Sequence, residues 1–244
     1  MYRSPVVPQA VAHRGLHINE PENSIGSFRR AVEAGAEAIE LDVHATRDGH
    51  VVVHHDFTVR SPAASKEHSL LQISDLNADD LRAHLLSDGS LIPTLTEALT
   101  EIPPAVVVYI EVKPAGIERL VVDCILEWPF NLDRCAIHSF DHRIPTNARV
   151  LSQKLPVGIL QVGYPLDAAG MLRAVGARDF WQQWEFTDEE IVDRVHEHGG
   201  RVVAWNCNTQ TGWDRLSAIG VDAICTDAVD DFVAWREARL DSSR

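Results

Sequence analysis

The segment AIELDV places Glu40 and Asp42 two residues apart. Side chains on a strand alternate between faces, so both carboxylates point the same way. Ionised carboxylates held side by side away from bulk water repel each other, and such a pair needs a cation, a shared proton or open solvent. A lone pair of this kind that is simply solvated is the plainer reading. The segment YIEVKP repeats the device with Glu111 and Lys113 just before Pro114, which on their own read as a buried ion pair. Adjacent parallel strands lie about 4.8 Å apart, so acids at matching heights on two of them can share one ion. Three carboxylates, with no cysteine or clustered histidine beside them in the sequence, favour one hard divalent cation, Mg²⁺ or Ca²⁺.

Two further motifs bring groups that move protons or bind anions. AHRG ends an apolar run, and its Gly15 permits a sharp exit that leaves His13 and Arg14 near a strand terminus. Arg14 offers a planar fork suited to phosphate oxygens. VVVHHD supplies His54 or His55, followed by Asp56. A lone histidine at a strand end is commonly structural, but two imidazoles flanking one cation-bound phosphate can divide the work of general acid and base, because imidazole titrates near neutral pH.

These groups need a scaffold that brings distant strands together. Eight short apolar runs rich in branched side chains recur, at 10–13, 38–43, 106–112, 135–140, 157–161, 178–182, 201–207 and 222–226. Amphipathic helical patterns follow them at 24–34, 95–101, 117–128, 141–153, 167–175, 188–198, 211–219 and 229–240. Strand then helix, eight times over, predicts an α/β fold closed as a TIM (β/α)8 barrel. Asn23 and Thr187 are expected as helix N-caps, the latter with Glu190 at capping-box spacing, and Gly35, Gly176, Gly199 and Gly220 as C-terminal stops. A Rossmann-type arrangement lacks its glycine-rich loop after the first strand. The alternation breaks once after the second strand, so the chain reads as a single domain, 1–244, with a small cap-like insertion at about 57–90.

Composition narrows the classes further. The net charge of −14 and pI near 5.2 oppose nucleic acid and stable membrane association, whereas a small phosphate ester can be held where a cation inverts the local field. The four cysteines are scattered, as expected of reduced thiols, and no apolar stretch reaches the roughly 20 residues of a membrane span. The proline-interrupted N-terminus lacks a signal peptide's apolar core, which makes the cytoplasm the expected location.

The motifs also occur in a characteristic order: AHRG at 12–15, PENS at 21–24, ELDVHATRDG at 40–49, HD at 55–56, EVK at 111–113, SF at 139–140, WNCN at 205–208 and TD at 226–227. In this order they resemble the glycerophosphodiester phosphodiesterase family, over nearly the whole chain. The resemblance implies metal-dependent hydrolysis of a small-molecule glycerophosphodiester to sn-glycerol 3-phosphate and an alcohol. It implies that His13 and His55 are the catalytic acid and base, that Glu40, Asp42 and Glu111 hold the cation, that Arg14 and Lys113 contact phosphate, and that Trp205 lines the substrate pocket. It gives His54 no role. The chain departs from the family pattern where PENS stands for PENT, where Asn206 and Cys207 replace a usual threonine and valine, and where Ala228 replaces proline; the changes after Trp205 are expected to alter the pocket without touching the histidines. Two other readings compete. A lysophospholipase D-like phosphodiesterase demands an apolar acyl channel, and a barrel that merely binds a phosphorylated ligand has no use for an acid and base pair.

Overall fold

A computed structural model of the chain describes residues 7–60, 70–128 and 132–242. The strands are β1 (Gln9–His13), β2 (Ala38–Ala45), β3 (Val51–Val53), β4 (Thr58–Arg60), β5 (Leu70–Gln72), β6 (Val107–Val112), β7 (Cys135–Ser139), β8 (Val157–Gln161), β9 (Asp179–Gln183), β10 (Arg201–Trp205) and β11 (Ala223–Thr226). The helices are α1 (Ile25–Glu33), α2 (Ala78–Leu81), α3 (Leu95–Glu101), α4 (Glu118–Glu127), α5 (Arg143–Leu151), α6 (Ala168–Val175), α7 (Glu189–Glu197), α8 (Gln210–Ile219) and α9 (Val229–Ser242). Eight parallel strands run in the order β1, β11, β10, β9, β8, β7, β6, β2, and β1 pairs with β2 to close the TIM barrel. Each of the eight carries a following helix on the outside, as the alternating pattern predicts.

The barrel has two apolar cores because its strands are covered on both faces. All eight residues of β2 are buried, alternately against the helices and toward the axis. The interior holds Val11, Ala38, Tyr109, Ala136, Leu160, Trp181, Val203, Ala223 and Cys225. Large Tyr109 and Trp181 face small alanines, the complementary sizes that fill a barrel this narrow. At the N-terminal floor, buried Asp179 lies between Arg178 at 2.7 Å and Arg201 at 3.4 Å, and Arg201 reaches the Tyr109 hydroxyl and Gln9.

Insertion elements fill the stretch between β2 and α3. β3 returns antiparallel along β2, the hairpin β4–β5 and short α2 follow, and Val52, Val59, Ile73 and Leu81 form a small core of their own. Residues 61–69 of the expected insertion at 57–90 lie outside the described residues, as do 1–6 of the N-terminal segment. All four cysteines are free thiols. Among the described residues no helix is long and apolar enough to cross a membrane.

Several local expectations shift. The strand expected at 201–207 ends at Trp205, and the one at 38–43 runs on to Ala45 because β3 pairs with its end. The cap of α1 is Ser24, not Asn23, with Ser27 completing the capping box. Asp188, not Thr187, caps α7, and the Thr187 hydroxyl donates instead to the Gln183 carbonyl. Gly176 and Gly220 terminate their helices in the left-handed conformation, as expected.

One turn sets up the mouth. Arg14 and Gly15 both adopt left-handed backbone, with φ of 56° and 82°, and Leu16 N–H then donates to the Ser27 carbonyl at the start of α1. A Cβ at position 15 would lie 2.6 Å from the Ser27 carbonyl carbon. Gly15→Ala is therefore expected to lower stability by roughly 2 kcal/mol or more in urea unfolding; a change under about 0.5 kcal/mol, within the range of a neutral surface substitution, would show that this turn is not constrained.

Candidate active site

The chemistry-bearing residues gather at the C-terminal mouth because the strand register puts them there. His13 lies opposite Glu40, Asp42 opposite Glu111, and Glu111 opposite His138. Every one of these side chains points inward by strand alternation. The mouth opens into a cavity whose lining includes His13, Arg14, Glu40, His55, Glu111, Lys113 and Trp205. Asp42 sits beneath the lining, fully buried. Between the alternatives left by VVVHHD, it is His55 that lines the cavity; the His54 backbone N–H donates to the Asp42 carbonyl.

Carboxylate oxygens of Glu40, Asp42 and Glu111 come within 4.8 Å of one another. Their charges are answered by cations and amides from neighbouring motifs. Lys113 Nζ stands 2.9 Å from Glu111 Oε1 and 3.3 Å from Asp42 Oδ1. Arg14 Nε stands 3.0 Å from Asp42 Oδ2, while its Nη1 donates to both carboxylate oxygens of Glu22. Asn23 of the PENS segment, the residue expected to cap α1, donates from Nδ2 to Asp42 Oδ2 at 2.9 Å and accepts from the Asp42 N–H. Local propensity pointed it to the helix, and a tertiary partner holds it elsewhere.

The two glutamates carry the unrelieved part of the repulsion. Burial, then the Asp42 charge, pushes the Glu40 and Glu111 carboxyls up to about 7. Burial disfavours the Asp42 charge too, yet Lys113 and Arg14 hold that carboxyl below its usual value. The donor set fits a divalent cation: three convergent carboxylates are hard oxygen ligands, and buried Asp42 Oδ1 makes no hydrogen bond among the described residues beyond its ion pair with Lys113.

His13 is oriented from the far end of the chain. Its Nδ1 lies 2.6 Å from Asp227 Oδ1, which directs Nε2 toward Glu40 at 4.0 Å. Asp227 is itself fixed by Asn208 Nδ2 at 2.6 Å and by His17 at 3.3 Å. Although burial opposes it, hydrogen bonds from His13 and His17 hold the Asp227 carboxyl well below its usual value. Asn206 Nδ2 packs 2.7 Å from His13 Nδ1. That corrects one expectation: the departure at 206 does touch a histidine, because the loop after β10 folds over the β1 terminus. His55 has its own carboxylate, with Nδ1 2.9 Å from Asp56 Oδ1.

Trp205 meets Phe140 edge to face at 5.4 Å and forms an aromatic wall. Trp181 also lines the cavity, whereas Trp184 packs under the Arg215 guanidinium. Nothing in the sequence singles out His138. It reads as an ordinary member of an apolar strand, and its only signal was its place just before the SF motif.

The model of the glycerophosphoryl diester phosphodiesterase family matches residues 13–231, spanning every motif of this mouth. The chain belongs to that family. Among relatives, a glycerophosphodiester phosphodiesterase of Caldanaerobacter subterraneus subsp. tengcongensis is 34% identical, covering 89% of this chain and 93% of its own length. Among solved structures, a glycerophosphodiester phosphodiesterase from Parabacteroides distasonis superposes with a TM-score of 0.82 at 24% identity, over 97% of this chain and all of the other. An Oleispira antarctica phosphodiesterase, solved in complex with the product sn-glycerol-3-phosphate, does so with a TM-score of 0.82 at 22% identity, over 94% and 97%. Both share the barrel. As a family member, the chain is a phosphoric diester hydrolase.

The raised glutamates make a signed prediction for the family site. Raised to about 7 in the folded chain from the ordinary 4.5, they contribute stability that is complete below about pH 4.5 and is lost as pH rises through 7. Asp42 acts in the opposite sense, but only below its usual 3.8. Buried His44 and His138, both pushed down to about 4, act the other way between about pH 4 and 6.5. The glutamate contribution is therefore a difference between proteins: in EDTA, the unfolding free energy of the wild type minus that of Glu40→Gln is expected to fall by on the order of 1–3 kcal/mol between pH 5 and 8. A difference that rises or stays flat across this window contradicts the assignment.

Proposed function

We propose that the chain, as one barrel domain capped by the insertion at about 57–90, hydrolyses glycerophosphodiesters to sn-glycerol 3-phosphate and an alcohol. In this reading one divalent cation is held by Glu40, Asp42 and Glu111, and His13 and His55 serve as acid and base. The observation that carries it is the convergence of a carboxylate trio, two cationic side chains and two carboxylate-paired imidazoles on one cavity. The sn-glycerol-3-phosphate bound to the Oleispira phosphodiesterase, which shares this fold, supports the choice of substrate class.

When bound, the cation supplies positive charge against the phosphoryl oxygens, where negative charge grows in the transition state. Arg14 and Lys113 add donors on the same side, Arg14 held in place by Glu22 and Asp42. With its Nδ1–H donated to Asp227, His13 presents Nε2 as an acceptor, the form required of a base. It takes a proton from the attacking oxygen, either a water or the glycerol 2-hydroxyl; the latter gives a cyclic phosphate, which a water then opens with the two histidines in reversed roles. His55, paired with Asp56, delivers a proton to the departing alcohol. Trp205 and Phe140 flank the cavity, where they exclude water from one side of the diester.

A coupled assay for glycerol 3-phosphate released from glycerophosphocholine tests this. EDTA is expected to abolish turnover, and His13→Ala or His55→Ala to lower kcat by about 100- to 10,000-fold; metal-independent turnover, or full activity in either variant, refutes the reading. Asp227→Asn is expected to lower kcat by on the order of 100-fold by releasing the His13 tautomer, and wild-type kcat in that variant removes Asp227 from the mechanism. A diester lacking the 2-hydroxyl separates the two attack routes, since cleavage at the parent rate excludes the cyclic one.

A further inference from the structure

His138 on β7 is 1% exposed, and neither ring nitrogen has a hydrogen-bond partner among the described residues. A neutral imidazole carries one N–H and one lone pair, and leaving both unmet in a buried setting is costly. Burial pushes its pKa down to about 4, so the ring is neutral and one nitrogen is an electron-pair donor. The ring plane is fixed, stacked on Trp181 at 4.4 Å and 7°, with Tyr109 edge-on.

The register sets its height. Asp42 is opposite Glu111 and Glu111 is opposite His138, so three consecutive strands present carboxylate, carboxylate and imidazole at one level. His138 Nε2 lies 3.7 Å from Glu40 Oε1. Two donors each about 2.1 Å from a common ion are separated by roughly 3.0–4.2 Å, which includes that distance, while the 4.8 Å convergence that gathers the three carboxylates does not yet take in the ring.

We propose that His138 is a nitrogen ligand of the cation held by Glu40, Asp42 and Glu111, making the centre a mixed oxygen–nitrogen site that prefers first-row transition ions to Mg²⁺ and Ca²⁺. The inference rests on the metal-binding part of the function proposed above. Imidazole nitrogen adds affinity for ions such as Co²⁺ and adds little for Ca²⁺, which is satisfied by oxygens. The carboxylates alone make a site for any hard cation; His138 makes it selective.

The test uses full-length protein stripped with EDTA. Calorimetric titration with Co²⁺ and with Ca²⁺ compares the wild type with His138→Phe, which keeps a ring on Trp181 and removes both nitrogens. Co²⁺ affinity is expected to fall about 10- to 100-fold, and Ca²⁺ affinity to change by less than about threefold. Pulsed EPR of bound Mn²⁺ is expected to show ¹⁴N modulation in the wild type and to lose it in His138→Phe. If that variant does not fold, the wild-type spectrum decides alone. Bound Mn²⁺ without ¹⁴N modulation, or unchanged Co²⁺ affinity in folded His138→Phe, overturns this inference and leaves the carboxylate site standing. A wild type that binds none of the three cations overturns both.

Discussion

Three acidic side chains are forced together inside a narrow, poorly solvated mouth, and most of the surrounding structure answers that crowding. Strand alternation turns Glu40, Asp42 and Glu111 inward, and the pairing of β2 with β6 leaves Asp42 directly opposite Glu111. Water cannot screen them well there, so positive charge and N–H dipoles must come from the protein or from a bound ion. Lys113 bridges two of the acids, Arg14 approaches Asp42 from the first strand, and Asn23 crosses over to hold it. The left-handed turn at Arg14 and Gly15 follows from the same demand, since it aims the guanidinium back over the acids rather than out into solvent.

Barrel closure supplies the second half of the arrangement. Because β1 pairs with both β2 and β11, His13 has the acid cluster on one side and Asp227 on the other. A residue from the beginning of the chain and one from near its end become a hydrogen-bonded pair. The plugged interior below, with Trp181 and Tyr109 packed against small side chains, gives these groups a rigid base and keeps the cavity at the C-terminal mouth.

Much of this was legible in the sequence. The two-residue spacings in ELDV and EVK needed no structure to show that their side chains share a face, and eightfold alternation sufficed for the barrel. What escaped depended on which strand meets which loop. Asn23 looked like a helix cap because capping is local, and only the folded chain shows Asp42 beside it. Asn206 looked remote from the histidines because 193 residues separate it from His13. The role open to His138 was hidden for another reason: a histidine in an apolar strand has many harmless explanations, and only the unmet ring nitrogens set it apart.

The floor of the barrel carries a consequence for traffic. Asp179 clamped between two arginines, with Tyr109 and Gln9 beside them, seals the end opposite the mouth, and the aromatic plug closes the channel above it. The cavity is a blind alley rather than a tunnel. Whatever enters departs by the same doorway, so a fragment still lodged near the acids obstructs the next arrival, and turnover at high concentrations of that fragment is governed by how fast it backs out.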